Sequence, residues 1–324
     1  MAMSDAFDPL RFQEEEGNMN GKAEAMVLAS FVGDSLALGP HWVYDVDEIE
    51  RRFGRVEKLM KPSPDSYHPN KEAGEFTHYG DQTLALLESI AEVRGFDLAD
   101  FALRWRKLFS HYHGYFDHAT KGTLHNFDEG KGPEESGAPS TDLSGASRVA
   151  PLVYRYRGDS GALVTAAKAQ TAMTHNNPVV VQSAEFLART ALEILDGKAP
   201  VEAMKKVAGS WLKGGFVASA VDEALELSSL AAKDAILDLG QSCNTKSALP
   251  AVVVLVAKYE SDIKEALVQN AMAGGDSAAR GMAVGMLLGA HLGLEAIPGD
   301  WVSGMKASRH IQDLLARIDK SRGE

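Results

Sequence analysis

Apolar residues recur at three- and four-residue steps along almost the whole chain, and that spacing limits the possible folds more than any other feature. Between 21 and 38 the steps fall on Met26, Ala29, Val32 and Leu36; between 83 and 93 they fall on Leu84, Leu87, Ile90 and Ala91. Phe101, Trp105, Leu108 and Tyr112 repeat them between 98 and 112. Such a stripe buries one face of a helix. Similar segments cover about 161–173, 179–195, 200–212, 217–231, 247–258, 262–272, 277–291 and 307–318. Many of these positions are Ala or Gly, which lets helices approach closely. Val252-Val253-Val254 has strand character, but Pro250 suits a first helical turn, so a buried helix is expected there. The pattern predicts an all-α fold: a single compact orthogonal helical domain of roughly a dozen helices over 21–324, behind an N-terminal tail at 1–20.

At 45% hydrophobic and 24% charged residues, 324 residues can bury a substantial core. The net charge of −12 argues against a nucleic-acid or anionic-membrane binder, because phosphates need a basic face. The single cysteine, Cys243, excludes an intrachain disulfide and a Cys-rich metal site. The first residues lack the basic start and apolar block of a signal peptide, and no apolar run is long enough to span a bilayer. A soluble cytoplasmic protein is expected. Two long loops, at 61–79 and 128–144, interrupt the helices, and loops of that length are commonly functional or mobile. Trp42, Tyr44 and Tyr67 are candidates to stack on a planar group.

Four small-residue motifs mark helix boundaries. They are Gly33-Asp34-Ser35-Leu36, His78-Tyr79-Gly80-Asp81-Gln82-Thr83, Thr174-His175-Asn176-Asn177-Pro178 and Gly274-Gly275-Asp276-Ser277-Ala278-Ala279-Arg280. Asp81 and Asp276 stand where N-caps stand, and Thr174 or Asn177 is placed to cap the helix after Pro178. A carboxylate at a positive helix N-terminus also suits a site for a cation or a polyhydroxyl ligand. Arg280, four residues beyond Asp276, shares its helix face and would pair with it.

In order and spacing these motifs resemble the ADP-ribosylglycohydrolase family, over about 21–301. The family's Gly-Asp helix end resembles Gly33-Asp34, and its Thr-Asp-Asp-Thr aligns with Gly80-Asp81-Gln82-Thr83. Ser144-Gly145-Ala146-Ser147-Arg148 through Pro151, then Thr174-His175 with Pro178, follow in order. The final Gly-Gly-Asp-x-Asp-Thr aligns with Gly274 to Ala279. The Tyr79-Gly80-Asp81-Gln82-Thr83 form resembles a separate branch, the group containing jellyfish J1 crystallins and selenoprotein J. The resemblance implies hydrolysis of an N- or O-glycosidic bond to ADP-ribose or a related ribosyl group. It also implies two Mg²⁺ or Mn²⁺ ions held by carboxylates and Thr hydroxyls.

This chain replaces several of those ligands with Gly80, Gln82, Ala278 and Ala279. An intact dinuclear centre is therefore not expected; one weakly bound Mg²⁺ or Mn²⁺ is, on Asp81, Thr83, Asp276 and Ser277. The resemblance places catalysis on Asp81, Gln82 and Asp276. It places contacts to a small-molecule or ADP-ribosylated substrate on Gly33, Asp34, His78, Tyr79, Ser144, Gly145, His175, Asn177 and Arg280. The rival expectation is a catalytically inactive ligand-binding or structural, crystallin-like protein on the same scaffold. An enzyme would bring Asp81 and Asp276 together, unpaired, on an open pocket; an inactive relative would show Asp276 engaged by Arg280.

Overall fold

The computed structural model describes residues 9–322, with side chains from Met19 onward. Helix starts are set by short polar side chains: Asp45, Thr77, Asp97, Asp117, Asp159, Asn177, Asn244, Asp262 and Asp276 each accept from a backbone N–H of the following turn. Each such cap stabilises its helix by about 0.5–2 kcal/mol. The helices are α1 (Pro9–Ala37), α2 (Val46–Phe53), α3 (His78–Val93), α4 (Leu98–Ser110) and α5 (His118–Asp128). Next come α6 (Ser144–Ser147), α7 (Ala150–Tyr156), α8 (Ser160–Ala172), α9 (Pro178–Leu195), α10 (Pro200–Trp211), α11 (Phe216–Leu227) and α12 (Ala232–Leu239). The chain closes with α13 (Thr245–Lys258), α14 (Ile263–Met272), α15 (Ser277–Leu292), α16 (Gly299–Gly304) and α17 (Ser308–Arg322). Among the described residues the only β pairing is two isolated bridges, so the all-α expectation holds.

The centre of the fold is the pair α1 and α15. Ala25, Ala29 and Gly33 recur every fourth residue on α1, as do Gly281, Gly285 and Gly289 on α15. A Cβ at Gly33 would stand 2.1 Å from Gly281 O, one at Gly285 2.1 Å from Ala29 O, and one at Gly289 2.7 Å from Ala25 O. The pairing order makes the two helices antiparallel, with backbones in direct contact. That contact sets the C-terminal end of α1 beside the N-terminal end of α15. Gly33, expected at a substrate, belongs to this seam.

Asp34 ties a third element to the same end. Its buried carboxylate accepts from Thr77 N at 2.7 Å and Thr77 Oγ1 at 2.6 Å, so α3 begins against the end of α1. The loop before α6 is pinned on two sides. Asn176 N donates to Ala138 O at 2.8 Å, and Leu143 N donates to Cys243 O at 2.9 Å. Helix α1 starts at Pro9, earlier than the periodicity placed it. Helix α13 starts at Thr245, where Asn244 caps it, so Pro250 lies inside the helix rather than in its first turn. Val252, Val253 and Val254 are buried within that helix, as expected.

Candidate active site

Three helix ends and two loops converge on a pocket of about 270 Å³ lined by Trp42, Tyr44, Tyr67, Tyr115, Asp117, Asp142 and Cys243, with His118 and Ser140 at its edge. A larger cavity of about 570 Å³ lies at Leu294, Val302 and Arg309, but no converging group of acids or histidines lies there among the described residues. The smaller pocket has such a floor. Ligand-type atoms of Asp142, Cys243 and Asp276 lie within 4.8 Å of one another, as do those of Asp117, Asp142 and His175.

Tyr79, in the first turn of α3, sits between the two central acids. Its hydroxyl is 3.0 Å from Asp276 Oδ2 and 3.4 Å from Asp142 Oδ2. Burial first, then the charges of Asp142 and Asp276, push the phenol well above its ordinary pKa, so it keeps its proton. One hydroxyl has one proton to donate. The shorter contact takes it, and the contact to Asp142 is then satisfied when Asp142 carries a proton of its own. The electrostatics agree. Burial, followed by the charges of Asp276 and Asp117, raises Asp142 well above the carboxylate range. Burial also raises Asp276, but Tyr79, Arg280, Ala279 N and Trp42 Nε1 oppose it. The net effect on Asp276 is still upward, but smaller than that on Asp142, so the contacts run from Asp142, the more strongly raised acid, through Tyr79 to Asp276.

Asp117 completes the acid group from the N-cap of α5. Burial would raise its pKa, but the nearby His78 and His175 outweigh burial and hold it well below the usual range. His78 Nε2 is 3.6 Å from Asp117 Oδ2, too long for a hydrogen bond, and Oδ2 has no hydrogen-bond partner among the described residues. His175 is buried and driven down to about 3 by that burial; it contacts Thr174 Oγ1 at 2.8 Å and Ser144 Oγ at 3.2 Å. Behind the pocket, His41 stacks on Trp42 with ring centroids 4.4 Å apart. Burial keeps His41 and His68 neutral, His68 near 3.

The structure redistributes the residues expected at the site. Helix geometry puts Asp81 about 200° around α3 from Tyr79. Asp81 accordingly meets Lys71 Nζ at 2.5 Å and Tyr112 OH at 2.6 Å instead of Asp276. Thr77, not Asp81, caps α3. Gln82 is engaged inside: its Oε1 accepts from Trp105 Nε1 and Arg148 Nη1, each at 2.7 Å, and its Nε2 donates to His78 O at 3.0 Å. The Thr83 hydroxyl donates to Tyr79 O at 2.9 Å, and the Ser277 hydroxyl is buried without a partner. Arg280 does not pair with Asp276. Its guanidinium donates to Asn270 and to Gly274 O, and Nη1 has no partner. Ser144 lies against Asp142 and His175, and a Cβ at Gly145 would stand 2.5 Å from the His175 ring. Asn177 caps α9, as the sequence suggested. Asp276, His78, Tyr79, Ser144 and His175 are thus gathered at the site, whereas Asp34, Asp81, Gln82 and Asn177 hold the scaffold.

Asp117, Asp142 and Cys243 were not foreseen. The signal available was the long loop ending in Thr141-Asp142 directly before the Ser144 motif. The Cys243 thiol is pushed up by burial and by Asp142 and Asp276, so it is a protonated wall of the pocket rather than a nucleophile.

A dinuclear divalent centre does not fit this donor set. Gly80, Ala278 and Ala279 offer no side-chain oxygen, Gln82, Thr83 and Asp81 are engaged elsewhere, and the Tyr79 hydroxyl stands between Asp276 and Asp142.

These features define an all-helical protein with a pocket whose aromatic wall stands over buried acids. The chain belongs to the ADP-ribosylglycohydrolase family, whose model matches residues 16–324. It is 24% identical to Crystallin J1A of Tripedalia cystophora, covering 92% of this chain and 96% of that protein. It is 26% identical to an uncharacterized protein of Archaeoglobus fulgidus, covering 93% and 96%. A solved structure described as an ADP-ribosylglycohydrolase-related protein complex shares the fold, with a TM-score of 0.76 and 23% identity over 94% of this chain and 99% of that one. No helix among the described residues is long and apolar enough to cross a membrane.

Proposed function

We propose that the chain, acting as one domain over 21–324, hydrolyses an N- or O-glycosidic bond to ADP-ribose or a related ribosyl group. The observation that carries this reading is the Asp142–Tyr79–Asp276 relay at the floor of an open pocket. Glycosidic cleavage needs one carboxyl that still holds its proton and another charge beside the cationic transition state. Asp142 is the proton donor to the leaving group. Asp276, which accepts from the Tyr79 hydroxyl and Trp42 Nε1, stabilises the developing positive charge on the sugar. Once Asp142 has given its proton to the leaving group, its carboxylate takes the proton of the attacking water, and Asp117 lines the pocket beside it. One weakly bound Mg²⁺ or Mn²⁺ would be held by Asp142 with Asp276, or by Asp142 with Asp117 and His175, and no step above is routed through it.

The test is release of free ribosyl product from ADP-ribosyl and ribosyl conjugates by wild type, Asp142→Asn and Asp276→Asn, with circular dichroism to verify folding. Loss of general acid catalysis typically costs about 10²–10⁴-fold. Activity should also fall as pH rises, because the protonated form of Asp142 is the working one. Full activity in Asp142→Asn would remove the assignment. A second reading, a ligand-binding or structural protein, is favoured by the Tyr79 hydroxyl holding both acids in hydrogen bonds. It predicts no turnover by wild type with any of these conjugates.

A further inference from the structure

We propose that Arg148, Thr174, His175 and Ser144 form a hydrogen-bond chain of fixed direction that ends on Asp142, so that His175 is a positioning residue and Ser144 is not a nucleophile that it activates. The direction stands on the hydrogen bonds alone; only its use in catalysis rests on the hydrolase reading.

Ser144 Oγ and His175 Nε2 are 3.2 Å apart, a pairing that resembles a serine nucleophile and its base. Such a base must present a bare Nε2 to the hydroxyl, and the other ring nitrogen decides whether it does. His175 is buried and neutral, so one of its two ring nitrogens carries a hydrogen. Nδ1 is 2.8 Å from Thr174 Oγ1. That oxygen already accepts from Arg148 Nη2, on a guanidinium that stays cationic at neutral pH and has donors only. If Nδ1 carried the hydrogen, Thr174 Oγ1 would accept twice. Its own hydrogen would then lie buried with no acceptor among the described residues. A buried hydroxyl left unbonded disfavours that arrangement by about tenfold or more. With Nδ1 bare, every hydrogen finds an acceptor. Thr174 donates to Nδ1, Nε2–H donates to Ser144 Oγ, and the Ser144 hydroxyl turns to the Asp142 carboxyl, its other partner. Ser144 therefore receives a hydrogen bond from His175 and gives it none.

The surroundings hold each member in place. A Cβ at Gly145 would stand 2.5 Å from His175 Cγ and 2.7 Å from Nδ1, so the imidazole rests directly on backbone. Gly145 O in turn accepts from Gln170 Nε2 and Thr171 Oγ1, each at 3.0 Å. Arg148 is fastened to Gln82 Oε1 and Gln170 Oε1, each at 2.7 Å. At the far end Asp142 Oδ1 accepts from Ser144 N at 2.9 Å, which leaves Oδ2, the oxygen beside Tyr79, to carry the acid proton. A hydrogen bond to a carboxylate is stronger than one to a carboxylic acid. The Ser144 hydroxyl thus favours Asp142 more after its proton has gone to the leaving group than before, which lowers the barrier to that transfer. No proton travels along the chain, because its Arg148 end keeps its charge.

The experiment is ¹⁵N NMR of the histidine rings in the full chain, the His175 signals being assigned by their loss in His175→Gln. Nε2 should be protonated and Nδ1 bare in wild type and in Thr174→Ser, which keeps the hydroxyl. Thr174→Val should let the Nδ1–H form appear. Turnover of ribosyl conjugates is the second readout, with circular dichroism on each variant. Ser144→Ala and His175→Leu should each lower kcat about tenfold and leave KM within about twofold. His175→Gln, which retains an N–H donor, should recover most of that loss. A wild-type ring with its hydrogen on Nδ1 would overturn the inference, and that spectrum decides even if a variant fails to fold. So would a tautomer indifferent to Thr174→Val, or complete loss of turnover in folded Ser144→Ala, the mark of a nucleophile. The stated tautomer in a protein that cleaves no conjugate would sink the hydrolase reading alone; an Nδ1–H ring in an active enzyme would sink this one alone.

Discussion

Asp34 gives a stability prediction with a definite sign. The carboxylate is fully buried and accepts two short hydrogen bonds from Thr77. Burial nevertheless outweighs those bonds, and its pKa rises from 3.8 to about 6. A carboxyl raised this far is favoured in its protonated form by the fold. Its contribution to stability is fully present below the unfolded pKa near 4 and is lost as pH rises through 6. At about 1.4 kcal/mol per pH unit, wild type should lose about 3 kcal/mol between pH 4 and pH 7.5 through this group alone. Asp34→Asn keeps the shape and an acceptor for Thr77 N but does not titrate. Its unfolding free energy should be equal to wild type or about 1 kcal/mol lower at pH 4. At pH 7.5 it should be about 2–3 kcal/mol higher. Guanidinium unfolding of both proteins at the two pH values measures the difference of differences, in which all other titrating groups cancel. A gap that stays constant with pH, or moves the other way, would refute the burial argument. Ligand binding should survive the substitution, because Asp34 anchors α3 and does not reach the pocket.

Tyr79→Phe removes the proton that Asp276 accepts, and should lower stability at neutral pH by about 1–3 kcal/mol. It should also raise Mg²⁺ affinity in a calorimetric titration, since the two carboxylates are then left to share a cation; unchanged values of both would contradict the relay. Gly285→Ala forces a Cβ to 2.1 Å from Ala29 O, backbone against backbone, and should cost about 1–3 kcal/mol or more in denaturant unfolding. Gly21→Ala, in the same helix pair but with open space around it, is the control and should gain about 0.5–1 kcal/mol. Gln82→Asp withdraws an acceptor from Trp105 and Arg148 and should destabilise by about 1–3 kcal/mol without creating metal affinity. A gain in metal affinity there would mean that position 82 faces the pocket after all.

Periodicity alone revealed the long helices, because each buries a continuous apolar stripe. It missed α2, α12 and α16, which at six to eight residues are too short to show an extended face; of the three only α2 has a side-chain cap, from Asp45. It also missed α5, whose buried residues are mainly small or polar: Ala119, Thr120 and Thr123. The motifs mark the helix ends that border the pocket. Small residues at α1 and α15 are needed for their backbones to touch, and Asp276 must cap α15 wherever the rest of the site lies. What a motif does not specify is the facing of each residue on its first turn, and a change of two positions turns a side chain to the opposite side of the helix.

That limit explains why the acids came from elsewhere. Gly80 replaces a hydroxyl-bearing residue because a Cβ there would lie 2.7 Å from Asp34 Oδ2, so the α1–α3 contact itself excludes a larger side chain. Ala278 and Ala279 pack with Ala37, Met282 and the fully buried Tyr79 in one small apolar cluster, with Trp42 against it. The volume that the family resemblance would give to ions and their ligands is therefore taken up by a phenol and an indole. Both still point a polar hydrogen at Asp276. Once rings hold that side of the carboxylate, a second acid can approach Asp276 only from the loop side, and the bridges at Ala138–His175 and Asp142–Asn244 fix Asp142 there. The packing of Tyr79 on Ala278 and Ala279 and the approach of Asp142 to Asp276 thus meet at one hydroxyl. A chain with Tyr79 in place would gain little from restored carboxylates at 278 and 82 alone.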